Sequence, residues 1–181
     1  MKLQVITSNQ GKLREFQAAL PQVEIIHNDA DCDEIQADTL EEVVLSCIEQ
    51  LRSKGLNNFI LDDSGLFVDG LQGFPGVYSS YVLRTIGNAG LLQLMDGRTE
   101  RQARFKSCIG ALIDSEVIIA HGECQGKIAF AESGTEGFGF DPIFIPDGYE
   151  VSFAELSLAE KNKISHRGNA LRAFSAQFNS R

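Results

Sequence analysis

The chain has 181 residues, 43% of them hydrophobic, which suffices to bury the core of one compact domain, residues 1–181, without invoking a second. Its formal net charge of -9 excludes the broad basic face that nucleic-acid polymers and membrane surfaces demand, yet leaves room for a local basic pocket around a nucleotide. No stretch approaches membrane-spanning length and residues 1–6 lack the apolar core of a signal peptide, so a cytoplasmic protein is expected. Cys32, Cys47, Cys108 and Cys124 show no CxxC spacing and no nearby histidine, and read as free thiols in a reducing compartment.

Leu3 to Ile6 reads as an opening strand, followed by the polar turn Thr7-Ser8-Asn9-Gln10-Gly11-Lys12 and a helical pattern through Leu13, Phe16, Ala19 and Leu20. A turn of this kind presents backbone N–H groups at the positive end of a helix dipole, which suits phosphate, and Lys12 adds a point charge. The spacing is not that of a P-loop. A second strand is expected at Val23 to Ile26, then an acidic loop from Asp29 to Glu34. Thr39 and Glu42 form a capping-box pattern that opens a structural helix with Leu40, Val43, Val44, Cys47, Ile48 and Leu51 on one face. Glu34 lies outside that helix and is free to act elsewhere.

The stretch Phe59-Ile60-Leu61-Asp62-Asp63-Ser64-Gly65-Leu66 reads as a buried strand ending in two carboxylates. Alternation along a strand sends Asp62 and Asp63 to opposite faces, so one can face a cleft while the other braces its surroundings. Paired acids there call for a cation, a lysine or a proton, and a divalent metal leads; a solvated Asx turn at Asp63-Ser64-Gly65 is the competing reading. Leu66 to Leu71 is expected to return as another strand. Gly73 to Tyr81 is a loop of glycines and aromatics that lines a pocket or bridges subunits, and Gly87 to Met95 is a helix. Arg104 to Ile113 and Val117 to Gly122 form a hairpin about Asp114-Ser115.

The glycines of Gly134 to Phe144 suggest a dinucleotide fingerprint, but no helix continues through Asp141-Pro142. What remains is an aromatic loop whose rings either stack on a base or pack in the core, with Asp141 able to accept a ring N–H. Lys161, His166 and Arg167, beside the start of a closing helix to about Phe178, form either a basic surface patch or a site for an anionic or carbonyl-bearing ligand.

Taken in order, these stretches resemble the inosine triphosphate pyrophosphatase family, the dITP/XTP diphosphatases. The likeness runs from Thr7-Ser8-Asn9-Gln10-Gly11-Lys12 through Glu34-Ile35-Gln36-Ala37, Asp62-Asp63-Ser64-Gly65-Leu66 and Gly73-Phe74-Pro75-Gly76. It continues through Gly137 to Phe144 and Glu160-Lys161-Asn162 to Ser165-His166-Arg167. The resemblance implies an α/β fold, an elongated mixed sheet flanked by helices, with two lobes, a central active-site cleft and a homodimer. It implies hydrolysis of ITP, dITP and XTP to the monophosphate and pyrophosphate with Mg2+. Carried over, Thr7 to Lys12 hold the triphosphate, Glu34 and Asp63 bind magnesium, Asp63 is the general base and Ser64 touches substrate. Phe138, Gly139, Phe140, Asp141, Lys161, His166 and Arg167 form the base and ribose pocket. Ser8 stands where many members have Gly, and Phe140 where they have Tyr or Trp. Two other classes remain beside this one: a phosphatase with Asp62 or Asp63 as covalent nucleophile, and a non-catalytic purine nucleotide-binding protein.

Overall fold

The computed structural model describes residues 2–179. Six strands, β1 (Lys2–Ile6), β2 (Glu24–Asn28), β3 (Phe59–Val68), β4 (Gln102–Ile113), β5 (Glu116–Ile128) and β6 (Phe144–Pro146), form one sheet in the order β2-β1-β3-β4-β5-β6. The pairs β1–β2 and β1–β3 are parallel and the rest antiparallel, so the sheet is mixed. Around it lie α1 (Gln10–Ala19), α2 (Leu40–Ser53), α3 (Ser79–Thr85), α4 (Gly87–Leu94), α5 (Leu158–Ile164) and α6 (His166–Asn179). The expected α/β architecture, a mixed sheet flanked by helices, is therefore present.

The alternation of β3 divides the helices between two faces. Ile60 packs with Leu13 and Phe16 of α1 and Leu171 and Phe174 of α6, whereas Phe59 and Leu61 pack with Val44, Ile48 and Leu51 of α2. Farther along the sheet, Leu66 and Val68 join Phe105, Phe140, Phe144 and Phe153 in a third cluster that α4 closes with Leu91. Glycines set how closely the helices approach. A Cβ on Gly122 would lie 2.1 Å from the carbonyl of His166, so this residue lets α6 settle its first turn against β5. The capping box at Thr39 and Glu42 forms as expected, a device worth about 1 kcal/mol.

Several expectations need correction. The carboxylates do not end their strand, for β3 continues through Gly65 to Val68, and Leu66 to Leu71 is no separate strand. Gly65 is not a break but a close approach, since a Cβ there would lie 2.2 Å from the Gly76 carbonyl. The loop from Gly73 to Tyr81 gives way to α3 at Ser79, whose buried hydroxyl accepts the Leu66 N–H at 2.8 Å and donates to Gly76 at 2.7 Å. Most sharply, Cys32 and Cys47 are joined in a disulfide with Cα atoms 5.4 Å apart, not free thiols. Cys108 and Cys124 are free and buried, and burial pushes both thiols up to about 12, which disfavours the thiolate. Among the described residues no helix is long and apolar enough to cross a membrane.

Candidate active site

The turn between β1 and α1 is shaped by its own side chains. Asn9 is the N-cap of α1, and its Oδ1 accepts the N–H groups of Gly11 at 2.8 Å and Lys12 at 3.2 Å, while Thr7 Oγ1 accepts the N–H of Asn9 at 3.1 Å. Three backbone donors that the sequence offers to phosphate are thus already engaged. What the turn presents to a cleft of about 480 Å³ is Thr7, Ser8, Asn9 and the Lys12 side chain, whereas Gln10 and Gly11 are not among the lining residues. A Cβ on Gly11 would lie 2.4 Å from the Phe138 ring, so this position allows the two loops to meet.

Across the cleft, Asp62 and Asp63 point to opposite faces of β3, as alternation dictates. Asp62 is buried and acts as a brace: its carboxylate meets Lys12 Nζ at 3.2 Å and accepts Arg167 Nε–H at 2.9 Å. Burial pushes its carboxyl up, but Arg167 and Lys12 outweigh that and hold it below the ordinary range. Asp63 lies on the α2 side, half-buried, with Oδ1 accepting the Ser64 N–H at 2.9 Å. Here burial, opposed by Lys12 and reinforced by the charges of Asp62 and Glu34, raises the carboxyl to about 7. One carboxylate is held ionised as structure and its neighbour is poised to exchange a proton near neutrality.

Glu34 reaches the same cleft from the loop between β2 and α2. Among the described residues no three His, Cys, Asp or Glu side chains stand close enough to hold a metal by themselves. The donor set nonetheless fits magnesium, which takes one or two carboxylates and completes its shell with water and substrate phosphates. Glu34 and Asp63 are hard oxygen donors, and the raised Asp63 carboxyl marks a place where a nearby positive charge is favoured.

The other end of the cleft is a buried ionic network. Arg167, at the start of α6, donates to Asp62, Glu15 and Ser64, the last at 2.8 Å. Lys161 of α5 meets Glu15 at 3.0 Å and Asp141 at 2.7 Å, and Asp141 also accepts the Phe138 N–H at 2.7 Å. Acid and base alternate along the run Lys12, Asp62, Arg167, Glu15, Lys161, Asp141. Phe138 lies over Lys161, with Nζ 4.7 Å from the ring centroid. His166 is buried and stacks on Phe105 at 4.6 Å between centroids; burial, with Arg167 and Lys161 adding to it, pushes its imidazole well below its usual value, and its Nδ1 has no hydrogen-bond partner.

In comparison with known proteins, the model described as the Ham1 family matches residues 3–177. The chain belongs to the Ham1 family. It is 51% identical to a protein named dITP/XTP pyrophosphatase from Pyrococcus horikoshii over 96% of this chain and 95% of that one. A protein of the same name from Thermococcus kodakarensis is also 51% identical, again over 96% and 95%. Among solved structures, the Staphylococcus aureus Ham1 protein superposes with a TM-score of 0.84 at 32% identity, covering 99% of both chains.

Within this Ham1-family fold, the residues singled out by sequence converge. Thr7, Ser8, Asn9, Lys12, Glu34, Asp63, Ser64, Phe138, Gly139, Phe140, Asp141, Lys161, His166 and Arg167 all line one cleft. Phe140, only 3% exposed, is at the same time part of the third core cluster. Glu15 escaped sequence reasoning, because an acid on a helix reads as a solvated side chain. Its signal was placement: it follows Lys12 by three residues and precedes Phe16, which puts it at the edge of the buried stripe of α1.

Proposed function

We propose that the protein hydrolyses deaminated purine nucleoside triphosphates, ITP, dITP and XTP, to the monophosphate and pyrophosphate. The observation that carries this reading is Asp63: a carboxyl raised to about 7, flanked by Lys12 and Glu34, in a Ham1-family cleft. The names of the relatives support the same substrate class. Asp63 takes a proton from a water as its oxygen forms a bond to the α-phosphorus; the bond from that phosphorus to the bridging oxygen breaks and pyrophosphate leaves. Lys12 bears on the developing phosphate charge, and the Ser64 N–H keeps Asp63 oriented. Glu34 and Asp63 would hold Mg2+, which would supply charge neutralisation at the phosphate oxygens and lower the pKa of water. The base lies beside Phe138, Asp141 and the neutral His166, whose Nδ1 has no hydrogen-bond partner.

A homodimer in the cytoplasm belongs to the same proposal, the assembly supported by the exposed Tyr78, Tyr81 and Ile86 about α3. Purified protein given ITP and magnesium is expected to release pyrophosphate as its first product; orthophosphate first would overturn the reading in favour of an aspartyl phosphatase. ATP should be a very poor substrate. Its 6-amino group and unprotonated N1 reverse the hydrogen-bond polarity of hypoxanthine, and two buried mismatches at about 1–3 kcal/mol each give a preference of roughly a hundredfold.

Lys12→Ala is expected to raise KM for ITP about tenfold or more, with the ITP-to-ATP ratio unchanged, since the ammonium meets phosphate and Asp62 but nothing at the base end. Steady-state kinetics on both nucleotides check this, and a shifted ratio would place Lys12 at the base.

A further inference from the structure

The segment that carries Glu34 has no regular structure, for residues 29–37 form neither helix nor strand. It is nevertheless fastened at three successive points to one stripe of α2 and its C-cap residue Lys54. Cys32 is bonded to Cys47. Asp33 exchanges two hydrogen bonds with Gln50: its N–H donates to Oε1 at 2.9 Å, and its carbonyl accepts from Nε2 at 2.9 Å. The Asp31 carbonyl accepts from Lys54 Nζ at 2.7 Å. Positions 47, 50 and 54 are spaced by three and four residues, so they lie one above another on the helix, and that helix is itself anchored by Val44, Ile48 and Leu51 in the core. Glu34 is the next residue after this clamp. Cys32, Cys47, Glu34 and Asp63 all line the same cleft.

We infer that the Cys32–Cys47 disulfide, together with Gln50, is a redox-sensitive clamp that positions Glu34 for its divalent cation. The inference rests on the metal role proposed for Glu34. An exposed glutamate on an irregular loop is brought into register only if the backbone beside it is fixed, and outer contacts that orient a ligand are worth about 10–100-fold in metal affinity. A dithiol reductant opens the bond by attacking one sulfur to form a mixed disulfide. It then closes on itself, leaves as a cyclic disulfide, and yields Cys32 and Cys47 as two thiols, so two electrons and two protons have passed from the reductant to the pair. Gln50 and Lys54 then remain as the polar ties between the loop and α2.

The test compares the full chain before and after treatment with a dithiol, by amide hydrogen exchange over residues 30–36 and by Mn2+ titration followed by paramagnetic resonance. Reduction is expected to speed exchange in this segment and to weaken Mn2+ binding about tenfold. The Cys32→Ala/Cys47→Ala double variant should match reduced protein and ignore the reductant. Gln50→Ala, which keeps the disulfide, should loosen the same amides to an intermediate degree. Unchanged exchange, or a double variant that still responds to dithiol, overturns the clamp. Faster exchange with unchanged Mn2+ affinity, or no Mn2+ binding in either state, overturns its role toward Glu34. Pyrophosphate release from ITP by the oxidised protein tests the hydrolytic reading separately, because that activity stands or falls whatever the exchange measurement gives.

Discussion

Asp63→Asn is expected to lower turnover of ITP at least about a hundredfold while leaving the fold intact, the scale usual for loss of a positioned base. Loss of a metal donor deepens the defect. The same substitution should stabilise the metal-free protein at pH 8. Asp63 has its carboxyl raised from 3.8 to about 7, so between those values the folded state holds a proton that the unfolded chain has released. Stability therefore falls as pH rises through this window, and above it the charged Asp63 is a liability on the order of 1–4 kcal/mol. Asparagine removes that liability. Chemical denaturation in chelator at pH 5 and pH 8 should find the variant's advantage over wild type, already begun at the lower pH, clearly larger at the higher. Near wild-type turnover at saturating magnesium would remove Asp63 from both of its roles, and equal stability at pH 8 would remove the raised carboxyl.

Glu15→Ala is expected to be the most destabilising single change at the site. Its carboxylate, 1% exposed, is shared by Arg167 and Lys161, both themselves buried, and truncation leaves each with a partner missing in a medium that solvates neither. Breaking a buried pair from one side costs about 3–5 kcal/mol, or a melting temperature lower by roughly 10 °C in a protein of this size. Burial pushes Glu15 up, yet Arg167 and Lys161 together hold its carboxyl below the ordinary 4.5. The sign is opposite to that of Asp63: this contribution is complete above the unfolded value and is lost as pH falls through the folded one. Thermal melts of wild type and Glu15→Ala should therefore converge in acid and diverge toward neutrality. Parallel melting curves across that range would mean that Arg167 and Lys161 find other partners.

Much of this was legible in the sequence because the informative residues sit in short runs with local meaning. The capping box at Thr39, the hairpin at Asp114-Ser115 and the opposed faces of Asp62 and Asp63 follow from periods of 3.6 and 2 that need no tertiary context. What stayed hidden depends on distant partners. The Cys32–Cys47 bond joins an irregular loop to a helix face, and the sequence separation of 15 carries no sign of their proximity. Strand β6 has three residues and is defined by its pairing with β5. The internal partners of Arg167 and Asp141, both candidates for the base pocket, were equally hidden, although a buried guanidinium or carboxylate requires such partners whether or not it also meets a ligand.

The alternating run from Lys12 to Asp141 holds three cations and three acids, so it adds nothing to the net charge of the cleft. A polyanionic substrate approaching a protein of formal charge -9 is therefore not drawn in by a long-range field. Capture has to rest on short-range fit, which favours the nucleotide that arrives with part of its charge already cancelled by a bound cation. The site trades speed of encounter for selectivity at contact.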